Sequence, residues 1–118
     1  RHRLMTTLTV IREGEMFREF VLSGHAGYGK YGQDIVCAAV SALITTCVNA
    51  LETVAGVKPT VEQEAASAMI RVTLPNNMDE VARHDAQVIL RTTLQGFEDI
   101  SSVYPKHMKI IDGRTSPC

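Results

Sequence analysis

From Asp34 to Ala55 the chain contains nothing that breaks a helix. Neither glycine nor proline occurs in this run, and its only charged side chains are Asp34 and Glu52. A helix this long and this apolar owes its stability to packing, so the fold must supply a broad apolar surface for it to lie on. Asp34 is the expected N-cap and Gly56 the expected stop.

The flanking segments supply that surface. Leu8–Arg12 is rich in β-branched residues, Glu13-Gly14-Glu15 reads as a turn, and Met16–Ser23 resumes an alternating pattern, so the pair forms a hairpin. Lys58–Glu62 and Ala68–Leu74 read as a second hairpin, whose first strand is an edge because Pro59 cannot donate to a ladder. Pro75 closes it. Asn77-x-x-Glu80 resembles a capping box for a second helix to about Gln95, which Gly96 interrupts before a short continuation to Ser102. Lys109-Ile110-Ile111 is a final strand. The order ββαββαβ predicts an α+β fold, a small mixed or antiparallel sheet packed with two main helices in a single domain. That domain is expected over residues 5–112. Arg1-His2-Arg3-Leu4 precede a Met5-Thr6-Thr7 start and read as a vector-derived remnant, and 113–118 as a flexible tail.

Apolar residues make up 45% of the 118 and charged residues 21%, enough for a real core. Aromatics reach only 5% and Trp is absent, so Val, Ile, Leu, Ala and Met must build it. The formal net charge is −1 and no basic run occurs, which argues against direct contact with nucleic acid. No stretch reads as a membrane span, for which about 18 apolar residues are needed. The three cysteines, Cys37, Cys47 and Cys118, are odd in number and unpatterned, which fits a reduced cytoplasmic protein.

At about 100° per residue, Val36, Val40, Leu43, Cys47, Ala50 and Val54 share the face of the first helix that meets the sheet. Cys47 is then a small buried hydrophobe. Cys37 stands about 100° from that centre, one turn below Ser41, on the border of the polar face. A thiol just inside a helix N-terminus feels the positive end of the dipole and unpaired backbone N–H groups, both of which favour thiolate. His25, across a glycine-rich loop, can serve as base or cationic partner. Gly27, Tyr28, Gly29, Lys30, Tyr31 and Gly32 between them read as a flexible flap.

The same loop matches G-x-G-x-x-G after a strand and before a helix, so a phosphate or nucleotide binder acting through Gly27–Gly32 is an alternative. It lacks the parallel βαβ unit, and Glu52, at the right spacing for the ribose acid, falls on the helix. His25, Cys37, His84 and His107 have no paired metal-ligand spacing, so neither metal nor cofactor is expected. A second alternative is a non-catalytic ribosome-associated assembly or binding module in which Cys37 is incidental.

Gly24-His25-Ala26, Gly32-x-Asp34 and Asp34-Ile35-Val36-Cys37-Ala38-Ala39-Val40-Ser41 resemble the ribosomal-processing cysteine proteases, the Prp or YsxB-like family. The likeness runs over nearly the whole chain from Met5. It implies a His25–Cys37 catalytic dyad supported by Asp34 and Ser41. It also implies a cytoplasmic, cofactor-free homodimer that removes an N-terminal extension from a large-subunit ribosomal protein. Asp34 has two readings, helix cap or orienting partner of His25. Backbone N–H groups near Val36–Ala38, or donors in the flap, are the expected oxyanion hole.

Overall fold

Every second residue of β1 (Thr6–Glu13), Thr6, Leu8 and Val10, is fully buried, while Thr7, Thr9 and Ile11 stay half-buried. That period of two marks a strand packed on one face only. The computed structural model describes residues 5–24, 31–66 and 68–113, and for 31–34 the backbone alone. Its remaining elements are β2 (Met16–Ser23), α1 (Tyr31–Thr53), β3 (Thr60–Glu64), β4 (Met69–Thr73), α2 (Glu80–Val103) and β5 (Met108–Asp112). The strands form one sheet in the order β3-β4-β2-β1-β5, antiparallel except for the β1–β5 pair. The expected α+β architecture and the edge position of β3 both hold, although β3 runs from Thr60 to Glu64 and not from Lys58 to Glu62, so Pro59 precedes the strand and is not what makes it an edge.

Gly14, at φ +65°, opens the two-residue turn between β1 and β2, where primed hairpin turns require positive φ. A bulge between Ile11 and Arg12 then lets Phe17 and Phe20, three apart, both face the core. Their rings meet edge to face at 5.7 Å, and Phe20 meets Phe97 of α2 at 6.4 Å. At the far edge, Arg12 forms a bidentate pair with Asp112 at 2.9 and 3.0 Å and stacks 4.3 Å from the Phe17 ring centre, tying β5 to β1. Leu8, Val10, Phe20, Leu22 and Val72 from the inner sheet face join one core with Val36, Val40, Ile44, Cys47 and Leu51 of α1 and Ala86, Leu90, Leu94 and Phe97 of α2. Both helices therefore cover the same face of the sheet.

Four helical expectations need correction. First, α1 begins at Tyr31, so Asp34 lies inside its first turn and does not cap it. Residues 31–33 contain one glycine and no proline, a cost of about 1 kcal/mol that packing of a long helix offsets. Second, the buried stripe is Val36, Cys37, Val40, Ile44, Cys47 and Leu51, and Val54 is 68% exposed. Its centre is turned by roughly 50° toward Cys37 from the expected one. The reason is α2: Leu43 sits against Gly96, where a Cβ would come within 2.9 Å of it, so that flank of α1 faces the neighbouring helix. Third, Gly96 allows this close approach and does not interrupt α2. Fourth, α2 is capped by Asp79, whose carboxylate accepts from the Ala82 N–H at 2.8 Å, two residues past Asn77.

The stop at Gly56 is as expected. With φ +67°, its N–H donates to the Glu52 carbonyl at 3.1 Å, the αL closure, and the Val57 N–H donates to the Leu51 carbonyl at 2.7 Å. The membrane reading also changes, because Ile35–Thr53 is long and apolar enough by length and composition to cross a bilayer. In the fold this segment is the helix laid on the sheet, with Val36, Val40, Ile44, Cys47 and Leu51 in the core.

Candidate active site

The end of the sheet where β2 finishes carries the candidate chemistry. Ser23 pairs with Thr7, and Gly24 leaves the strand at φ +77°, immediately before His25. A Cβ on Gly24 would stand 2.5 Å from the Met5 carbonyl oxygen, so both the conformation and the contact demand glycine. The strand-to-loop exit that leads into His25 is thereby fixed by backbone sterics. His25 itself, with Gly27, Tyr28, Gly29 and Lys30, lies outside the described residues. Tyr31 and Gly32, expected in the flap, form the first turn of α1.

Cys37 stands in the second turn of α1, 7% exposed, at the edge of the core and not at the border of the polar face. Ser41, one turn on, is exposed, as is Ala38. Because the helix starts at Tyr31, the amides of Val36, Cys37 and Ala38 point back to carbonyls within it. They are not the unpaired donors expected for an oxyanion hole, which belong to the first four residues. The dipole acts mainly within that first turn, so the helix end contributes less at Cys37 than the expected start at Asp34 implied.

Cys47 is the opposite case. It is 1% exposed, and burial pushes its thiol above the ordinary range, partly offset by a hydrogen bond with Thr93. A sealed thiol of this kind cannot reach a substrate. His84 is exposed and pairs its Nδ1 with Asp85 at 3.3 Å, a solvated surface pair. His107 stands in the turn entering β5, where its N–H donates to the Tyr104 carbonyl at 2.9 Å and its carbonyl accepts from Thr6 at 3.0 Å. The nucleotide alternative loses its frame. α1 starts within the glycine motif, and β3, the strand after it, pairs antiparallel with β4 and does not neighbour β2.

Comparison with known proteins gives this arrangement its class. The family model described as Cysteine protease Prp matches residues 5–109. The ribosomal processing cysteine protease Prp of Staphylococcus aureus strain Mu50 is 31% identical over 104 residues, covering 87% of this chain and 92% of the relative. Its Bacillus subtilis counterpart is 30% identical over 91 residues, 77% and 81% of the two chains. Among solved structures, SMU.848 from Streptococcus mutans superposes with a TM-score of 0.81 at 31% identity, covering 92% of this chain and 95% of its own. S. aureus Prp in complex with a substrate peptide superposes at 0.80 with 25% identity, covering 92% and 99%. The class is that of the cysteine proteases. Within it, the chain belongs to the ribosomal-processing Prp family.

Proposed function

We propose that the protein removes an N-terminal extension from a large-subunit ribosomal protein, in the cytoplasm and as a homodimer, with Cys37 as nucleophile and His25 as base. The carrying observation is the contrast between the two described cysteines. Cys37 rides α1 over the sheet end that leads to His25, with Ser41 exposed beside it, whereas Cys47 is sealed in the core. The names of the relatives, and the substrate and product peptides held by S. aureus Prp, support a processing role.

In this mechanism His25 takes the Cys37 proton, and Sγ attacks the scissile carbonyl carbon. The C–N bond then breaks as His25 protonates the leaving amine, which leaves a thioester on Cys37. Water, losing a proton to His25, attacks the thioester, and the new carboxyl terminus and the thiol are released. Asp34, excluded as a cap by its place inside the first turn, acts by orienting His25. Ser41 hydrogen-bonds the substrate backbone. The oxyanion donors lie outside the Val36–Ala38 amides.

The test is incubation of the full chain with large-subunit ribosomal-protein precursors, read by intact mass. Cys37→Ala and His25→Ala should each abolish cleavage in molecules that stay folded, while Cys47→Ala retains it in folded molecules. Cleavage by Cys37→Ala at the wild-type rate would overturn the reading. Sedimentation at micromolar concentration tests the dimer.

A further inference from the structure

All five residues of β3 are exposed, so the two helices leave this edge of the sheet uncovered. α1 packs beside α2, and it is the β3 edge that is left open. Val61 and Gln63 of β3 share the inner face with Val72 and Ile70 by register, yet Val61 is 39% exposed. Between this strand and α1 lies a cavity of about 150 Å³, walled by Ile44, Thr45, Val48 and Asn49 on the helix and by Val61, Gln63 and Ile70 on the sheet. It is well below the roughly 300–1,000 Å³ of a small-molecule site. A single large apolar side chain fits it.

The apolar half of this helix wall shares the phase of Cys37. At about 100° per residue, Cys37, Ser41, Ile44 and Val48 fall within roughly 60° of one another, with Thr45 and Asn49 further round toward solvent, so the apolar side of the cavity and the thiol lie on one flank. That flank carries no charge from Ile35 to Leu51. A second depression, of about 310 Å³, shares Gln63 and Ile70 and surrounds the β3–β4 turn. This turn stands at the sheet end where β2 finishes, the end from which the chain enters α1.

From these positions we infer that the substrate lies extended between α1 and the β3–β4 hairpin, with a large apolar side chain seated against Ile44, Val48, Val61 and Ile70. The occupant is a peptide because the cavity lies along the same helix as the candidate nucleophile, is uncharged on its helix wall, and is matched to one side chain at a time. Its distance from the cut follows from helix geometry. Residues 37 to 44 rise about 10 Å and 37 to 48 about 16 Å. An extended peptide advances about 3.3 Å per residue. The seated side chain therefore belongs to the third to fifth residue from the scissile bond. The inference rests on Cys37 being the nucleophile.

The experiment uses the full chain and synthetic peptides spanning the bond cut in the intact-mass assay, with alanine placed singly at each position to six residues on either side. Val61→Asp charges the cavity from an edge strand, and Thr45→Trp fills it from an exposed helix position, so folding is spared in at least the second. Both should lower kcat/KM at least tenfold while iodoacetamide labels Cys37 at the wild-type rate. One apolar substrate position, three to five residues from the cut, should lose as much on replacement by alanine, and that loss should vanish in the Thr45→Trp enzyme. Twofold changes or less in both variants, or fully additive losses at every position, overturn the inference while leaving Cys37 proteolysis standing. Conversion of a dimer to a monomer by either variant, with kcat/KM kept, would assign the groove to a second copy and overturn it as well. Absence of cleavage by the wild type would instead reject the proposed function.

Discussion

Gly24→Ala tests how the chain is delivered to His25, and the structure separates the cost into two parts. The first is conformational. Gly14, Gly24 and Gly56 have φ of +65°, +77° and +67°, and an alanine in the left-handed region costs about 1–2 kcal/mol. The second is steric and belongs to Gly24 alone among these three. Its Cβ would stand 2.5 Å from the Met5 carbonyl oxygen, whereas nothing lies within 4 Å of a Cβ at Gly14 or Gly56. The obstruction is backbone, so relief means moving the start of β1 against the end of β2, an overpacking cost of about 1–3 kcal/mol. Gly24→Ala should therefore lose about 2–5 kcal/mol, and Gly14→Ala and Gly56→Ala about 1–2 kcal/mol each. At about 4 °C per kcal/mol for a domain of this size, the expected Tm losses are about 8–20 °C and about 4–8 °C. Urea melts followed by circular dichroism measure the difference, which should appear in the midpoint with the slope unchanged. Folded Gly24→Ala should also lose kcat/KM beyond its unfolded fraction, because the substitution acts next to the proposed base, whereas folded Gly14→Ala should not. Equal destabilisation of Gly24→Ala and Gly14→Ala would refute the contact with Met5.

Cys47→Ser should cost roughly 1–3 kcal/mol in denaturant melts, as a hydroxyl replaces a buried thiol, with the Thr93 hydrogen bond drawing the value toward the low end. The raised Cys47 thiol also sets a sign with pH: above the ordinary value of 9.0 the unfolded chain releases this proton while the folded one keeps it. Stability should then fall as pH rises past that point, and less so in Cys47→Ala, as melts between pH 8 and 10.5 would show. Asp79→Ala removes the acceptor for the Ala82 N–H and should cost about 1 kcal/mol by thermal melt, with Asn77→Ala nearly neutral. Gly96→Ala should stay within about 1 kcal/mol of wild type by urea melt, since helix propensity gains about what the push on the flexible Leu43 side chain costs.

The fold was legible where local chemistry decides conformation. The alternation in β1, the turn at Gly14 and the stop at Gly56 depend on residues close in sequence, and each stands as expected, whereas the bulge breaks the alternation expected in β2 and β3 begins one residue past Pro59. What was not legible depends on neighbours distant in sequence. A helix stripe drawn from α1 alone centres on its most apolar side, which includes Leu43 and Val54. Which flank meets the sheet is decided by α2, through a glycine 53 positions beyond Leu43, so the phase comes out wrong by roughly half a residue's turn. That error bears on the chemistry. The expected phase puts Cys37 on a polar border, open to any solvent-borne peptide. The observed phase draws it to the edge of the core, 7% exposed, and turns its flank toward the uncovered inner face of β3. A thiol so placed presents little surface to bulk water, and the inferred groove favours a chain that can lie extended beside it. Selectivity in this protease is thus a consequence of the same packing that hid its phase: Gly96 admits Leu43, α1 rolls, and one strand of the sheet is left for the substrate to cover.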